Sequence, residues 1–274
     1  MSGIDRIAAA FESAAVDNRA ALMPYLMGGF PDRETSAAVI DAYADTGADL
    51  IELGVPYSDP LADGPVIHAA GTAALAAGAT FDGVLALAER VAARVPVLPM
   101  VYANVVLTLG PDRFAASLAD AGAAGAIIPD LPPEEDGSVG AALAERGLAM
   151  IGFVSPTTSS ERLTGTANTA AGFTYVVSLA GVTGERAELP PGLGDLVASV
   201  RRASTVPAAV GFGIGTPEQA AEVGRIADGV IIGTRLVRLV GDAGSREEAV
   251  DAVAGFLADT RVALAGGRDG APAL

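Results

Sequence analysis

The sequence predicts a single (β/α)8 barrel, and three observations carry that prediction. Short, almost wholly apolar runs recur along the 274 residues and alternate with longer amphipathic stretches of helical period. The linkers between them are short, which suits crossover connections in one parallel sheet. Eight such units in a chain of this length favour a closed barrel over an open sheet.

The chain opens with an amphipathic helix over 2–15. Ile4, Ile7, Ala8 and Phe11 fall on one face, and Ser2 or Asp5 is available as its cap. A helix ahead of the first strand suits the closed floor of a barrel. Strands are expected at 22–27, 49–53, 97–102, 126–129, 149–154, 174–178, 208–210 and 229–232. Helices are expected at 34–46, 81–94, 112–121, 133–146, 161–167, 195–202 and 217–223, with two more at 235–240 and 246–264. Thr216-Pro217-Glu218-Gln219 and Ser245-Arg246-Glu247-Glu248 are capping boxes, the first with proline at the opening helical position. The expected architecture is thus a TIM barrel with an extra N-terminal helix and extra helices after strands two and eight. Residues 1–265 read as one domain and 266–274 as a flexible C-terminal tail.

Composition narrows the chemistry. The net charge of −16 repels nucleic acid and anionic membranes, so any phosphate site must be built locally. Without cysteine there is no disulfide, thiolate metal site or thiol nucleophile, and the one histidine, His68, argues against a His-based zinc site or a Ser-His-Asp triad. Neither a basic leader followed by an apolar run nor an uninterrupted apolar stretch of membrane-spanning length is present, and the expected location is the cytoplasm.

In a barrel of this kind the working residues stand at the C-terminal ends of the strands. Glu52 ends the apolar run Leu50-Ile51-Glu52-Leu53. A carboxylate in that setting is either paired with a neighbouring arginine or held for chemistry, and an apolar wall would raise its pKa until it can serve as acid and base in turn. Asp59 and Asp63 follow on a loop stiffened by Pro56, Pro60 and Pro65. Asp63 is a second candidate acid or a loop cap; Asp59 stabilises the loop or meets a partner. Tyr25 near strand one, Met100, Tyr102 and Asn104 at strand three, and Tyr175 at strand six are candidate lining groups. Asp130 after strand four is a ligand contact or the cap of the next helix, and His68 reads as a helix-face residue. The long glycine-bounded segment 181–194 reads as a lid or a passive crossover. Gly211-Phe212-Gly213-Ile214-Gly215 and Gly233-Thr234 follow strands seven and eight, where this fold usually cradles phosphate on backbone N–H groups.

The run from Glu52 to Pro65, E-L-G-V-P-Y-S-D-P-L-A-D-G-P, resembles the signature of the tryptophan synthase alpha family. The resemblance extends in order through Tyr102-Ala103-Asn104, Pro129-Asp130-Leu131-Pro132, Pro156-Thr157-Thr158, Tyr175-Val176-Val177-Ser178, Gly181-Val182-Thr183-Gly184, Gly211-Phe212-Gly213-Ile214 and Gly233-Thr234. It implies a carbon–carbon lyase that cleaves indole-3-glycerol phosphate into indole and glyceraldehyde 3-phosphate without a cofactor in this chain. By the resemblance Glu52 is the general acid–base, Asp63 holds the indole N–H, and Tyr175 assists Glu52. Gly184, Gly213, Gly233 and Thr234 would hold the phosphate. Tyr25, Met100, Ile127 and Phe212 would form the indole slot, with Gly181, Val182 and Thr183 in the lid. It also implies docking, through the loop carrying Pro56 and Asp59, on a tryptophan synthase beta subunit that holds pyridoxal phosphate in an α2β2 complex. A stand-alone lyase releasing free indole, or a mainly allosteric phosphate-binding barrel, are the alternatives.

Overall fold

In the computed structural model the apolar runs become a ring of parallel strands wrapped by helices. It describes residues 1–132, 135, 137–177, 190–211 and 213–267, except for the side chains of 167 and 168. The candidate residues Gly181, Val182, Thr183, Gly184 and Phe212 lie outside these, as do residue 178 and the tail beyond 267.

Strands β1 (Ala21–Met27), β2 (Ile51–Gly54), β3 (Val97–Met100), β6 (Gly152–Val154), β7 (Thr174–Val177), β8 (Ala208–Gly211) and β9 (Gly229–Ile232) form one sheet in the order β3-β2-β1-β9-β8-β7-β6. The gap between β3 and β6 is filled by β4 (Gly125–Ala126) paired with β5 (Ala149–Met150). Ile127 bridges Met100 in parallel, and the Ile151 N–H donates to the Ala126 carbonyl at 3.1 Å. β5 and β6 are therefore one stave interrupted at Ile151, where the sequence suggests a single strand over 149–154.

Alternation along the strands creates two apolar layers. Leu22, Leu26, Ile51, Leu53, Val210 and Val230 belong to the core between sheet and helices. Met23, Leu50, Leu98, Ile127, Ile151 and Ile231 pack with one another inside the ring. Helix α1 (Gly3–Val16), capped by Ser2 with Asp5 reciprocating, adds Ile7 and Phe11 to that inner layer and so closes the floor. Ion pairs fix the same end. Arg19 grips Asp49, which accepts the Leu22 N–H at 2.7 Å. Arg201 grips Asp228, which accepts the Ala208 N–H at 2.9 Å. These carboxylates precede β2 and β9, and their partners are backbone and arginine, so this end serves stability while the opposite end is left for function.

Helices α2 (Arg33–Asp45), α4 (Phe81–Val91), α6 (Pro111–Asp120), α7 (Gly137–Ala144), α8 (Ser160–Thr169), α9 (Leu193–Ala203) and α10 (Pro217–Ile226) follow the strands. α3 (Pro65–Ala76) is the extra helix after β2; α11 (Thr234–Asp242) and α12 (Arg246–Leu264) close the chain. One helix was not legible: α5 (Ala103–Leu109), rich in β-branched residues that favour helix poorly. Its formation is tertiary. The Asp130 carboxylate, from the loop after β4, accepts the first N–H, that of Ala103, at 2.8 Å. Among the described residues no single helix is long and apolar enough to cross a membrane, and no cluster of His, Asp and Glu is arranged for a metal ion.

Candidate active site

The upper mouth of the ring holds a cavity lined by Tyr25, Glu52, Asp63, Met100, Tyr175 and Thr234, with Gly213 and Gly233 at its edge. Glu52 reaches it by alternation: Ile51 and Leu53 face the helices, which turns Glu52 inward above Leu50. It is 1% exposed, and its Oε1 has no hydrogen-bond partner among the described residues. Burial pushes its pKa from 4.5 up to about 8. No arginine reaches it, so the salt-bridged reading of this carboxylate is excluded among the described residues.

Two inward tyrosines flank Glu52. Tyr25 stands opposite it in the β1–β2 ladder, and Tyr175 lies opposite Phe153 in the β6–β7 ladder. Burial first, then the negative charge of nearby carboxylates, raises the pKa of both phenols: Asp63 and Glu52 act on Tyr25, and Glu52 acts on Tyr175. Each phenol needs a glycine on the next strand. A Cβ on Gly54 would sit 2.1 Å from the Tyr25 hydroxyl, and one on Gly211 would sit 2.3 Å from that of Tyr175.

Asp63 faces the cavity from the loop between β2 and α3. Burial raises its pKa, opposed by a hydrogen bond from Tyr102 and the positive character of His68. The Tyr102 hydroxyl donates to Asp63 Oδ1 at 2.9 Å and accepts the Ala62 N–H at 3.1 Å. Within the same loop Pro56 is buried while Asp59 is exposed and bonded to Ser58, so of the two residues expected to face a partner only Asp59 presents its side chain.

The phosphate-site candidates divide by helix. α10 is closed: Thr216 caps it, and Gln219 Oε1 accepts the Gly215 N–H at 2.8 Å. α11 begins at Thr234 after Gly233, which offers no capping side chain; both residues line the cavity, so the start of this helix lies at the mouth without a side-chain cap among the described residues. Gly213 has φ +86°, a conformation suited to glycine. The guanidinium of Arg235 lies 5.8 Å from the Phe256 ring and does not line the cavity.

Some expectations shift. Ile127, the bridge partner of Met100, is fully buried in the inner layer and is not among the residues that line the cavity. Asp130 caps α5 instead of the helix that follows it. His68 is exposed on α3, as its sequence context suggests. Phe153 was missed: it stacks on Tyr175, ring centroids 4.9 Å apart, and lines the cavity with Ile67, Ile214 and Ile231. Its spacing of two from inward Ile151 was the available signal.

A sequence model of the family described as "Tryptophan synthase alpha chain" matches residues 11–263. The tryptophan synthase alpha chain of Roseiflexus castenholzii is 47% identical over 241 residues, covering 86% of this chain and 92% of that one. That of Rhizorhabdus wittichii is 43% identical over 243 residues, covering 88% and 90%. Among solved structures, Mycobacterium tuberculosis tryptophan synthase superposes with a TM-score of 0.88 at 37% identity, covering 97% of this chain and 99% of that one. The alpha subunit from Legionella pneumophila gives 0.87 at 36%, covering 94% and 98%. With this agreement over almost the whole barrel, the chain belongs to the tryptophan synthase alpha chain family.

Proposed function

We propose that Glu52, Asp63 and Tyr175 carry out the lyase reaction of this family, the retro-aldol cleavage of indole-3-glycerol phosphate in tryptophan biosynthesis. The observation that carries the reading is Glu52 itself: a buried carboxyl whose Oε1 has no hydrogen-bond partner among the described residues, lining a cavity it shares with Asp63.

Cleavage needs a proton delivered to ring carbon C3 and a proton removed from the side-chain hydroxyl. Protonated Glu52 gives its proton to C3, which leaves a positive charge on the ring nitrogen. Asp63, ionised, accepts a hydrogen bond from that N–H and offsets the charge. The carboxylate of Glu52 then takes the hydroxyl proton as the carbon–carbon bond breaks; its electrons return to the ring, giving indole and glyceraldehyde 3-phosphate. A group with a pKa about 8 suits both halves of this exchange near neutral pH. Tyr175 supports Glu52 from the opposite wall. Tyr25, Met100 and Phe153 form the apolar slot for the ring.

The phosphate sits on the uncapped start of α11, at Gly233 and Thr234, with Gly213 beside it. Gly184 and Phe212, and a lid at Gly181, Val182 and Thr183, join this reading on sequence resemblance alone. A backbone cradle binds the anion locally in a chain whose net charge is −16. No cofactor is assigned to this chain.

The partner is a tryptophan synthase beta subunit carrying pyridoxal phosphate, in an α2β2 complex. The loop with Asp59 and the exposed Leu61 is the proposed contact, since an apolar side chain 87% exposed is costly to leave in water. Residues 1–265 act as one domain with 266–274 as its tail, and the cytoplasm is the proposed location. The test is an indole assay on indole-3-glycerol phosphate with and without a beta subunit. Release of indole that rises with the subunit supports the reading; no indole in either case overturns it.

A further inference from the structure

We propose that Tyr102 is the positioning residue for Asp63, holding its carboxylate toward the ring-nitrogen site through the phenolic O–H. This rests on the lyase reading above.

Asp63 stands on a loop where few groups hold it. The run from Ser58 to Ala62 is largely exposed, and Leu61 is bare to solvent. A carboxylate that must meet an N–H at hydrogen-bond distance cannot depend on such a loop for its aim. Tyr102, at the end of β3 and the start of α5, supplies the fixed point. It is 4% exposed, and its single hydroxyl makes two bonds, donating to Asp63 Oδ1 at 2.9 Å and accepting the Ala62 N–H at 3.1 Å. The Tyr57 ring, from the same loop, stacks on Tyr102 with centroids 5.3 Å apart and planes 26° apart. Asn104 then donates to the Tyr57 hydroxyl at 2.7 Å. Four contacts therefore tie the loop to the first turn of α5. That turn is held from the next stave by Asp130 on the Ala103 N–H. Asp63 Oδ1 is occupied by Tyr102, which leaves Oδ2 as the oxygen for substrate.

The same bond favours the ionised form of Asp63. The titratable groups acting on Asp63 are Tyr102 at the start of α5 and His68 on α3, both lowering its pKa against burial. Tyr25 on β1 senses Asp63 and also Glu52 of β2, and Asp130 acts on Tyr102. Removing the Tyr102 hydroxyl takes away a stabiliser of the charged carboxylate and leaves burial in place.

The experiment uses Tyr102→Phe, which keeps the ring and its stack on Tyr57. With indole-3-glycerol phosphate, kcat/KM is expected to fall about tenfold, the worth of a hydrogen bond to a charged group, and the acid limb of the pH profile to move to higher pH. Affinity for glycerol 3-phosphate and the thermal midpoint stay at parental values. In an Asp63→Asn background the Tyr102→Phe change has no further effect. A kcat/KM within twofold of the parent with an unmoved acid limb overturns the proposal. A further tenfold loss in the Asp63→Asn background also overturns it, because Tyr102 would then act through the loop backbone. A carbon-13 NMR titration of the Asp63 carboxyl supplies an arm that needs no turnover. A higher pKa in Tyr102→Phe supports the proposal, and an unchanged or lower one overturns it. If the parent cleaves no substrate, the lyase reading fails while this titration still decides the role of Tyr102.

Discussion

Tyr25 and Glu52 stand opposite each other in the β1–β2 ladder, both facing the inside of the barrel, and among the described residues neither phenol nor carboxyl pairs with a cation. The arrangement is unfavourable for an ionised carboxylate, and it has a signature in stability. The Glu52 carboxyl has a pKa of about 8 when folded and about 4.5 when exposed, so between these values the folded chain binds more protons than the unfolded one. Stability therefore falls as pH rises from 4.5 to about 8 and levels off above it. The full contribution is about 3 to 5 kcal/mol. Urea unfolding across this range, in the parent and in Glu52→Gln, isolates it: the difference in stability between the two changes with pH in favour of the glutamine variant as the pH rises. A constant difference would mean that Glu52 titrates as an exposed acid.

Asp63 shares the cavity but is only partly buried and is bonded to Tyr102. Its role is charge, so Asp63→Asn is expected to lower kcat by about a hundredfold, in line with the loss of one electrostatic stabiliser of a transition state. Binding of glycerol 3-phosphate, which lacks the ring, is expected to be unchanged. Steady-state kinetics with the full substrate and calorimetry with the fragment check both parts.

Gly211 and Tyr175 pack so closely that an added Cβ would lie 2.3 Å from the phenol oxygen. Gly211→Ala must push Tyr175 out of its place beside Glu52 and Phe153. The expected cost is about 1–3 kcal/mol in urea unfolding, together with a fall in kcat. Stability and turnover both equal to the parent would show that the phenol has room to move.

Gly213 adopts φ +86° at the cavity edge. Gly213→Val would strain the backbone and fill the approach to the α11 N-terminus. Affinity for glycerol 3-phosphate is expected to fall at least about tenfold, since the cradle has backbone donors and little charge to compensate. Calorimetry measures it, and parental affinity would place the anion elsewhere.

Much of this was legible before the structure. Glu52 and Asp63 stood out because carboxylates interrupted apolar or proline-fixed stretches, and β9 and α12 fall where periodicity put them. What failed was set by contacts distant in sequence. α5 depends on Asp130, a residue 27 positions from the N–H it caps. Asp130 itself was read only against its immediate neighbours, and so its cap on the earlier helix was invisible. The resemblance places Ile127 in the ring slot, but its side chain is fully buried within the inner layer, a degree of burial that local sequence does not reveal. Phe153 shares the inward face of Ile151, but a strand apolar on both faces does not show in sequence which face points inward.

The central claim is that one buried carboxyl both gives and takes the proton. Its most direct measurement is the single-turnover rate of indole release by Glu52→Gln, which keeps the shape of the side chain and removes its proton exchange. A fall of at least about a hundredfold, with glycerol 3-phosphate still bound as tightly as by the parent, is the predicted result. Indole released at a rate near that of the parent would contradict it.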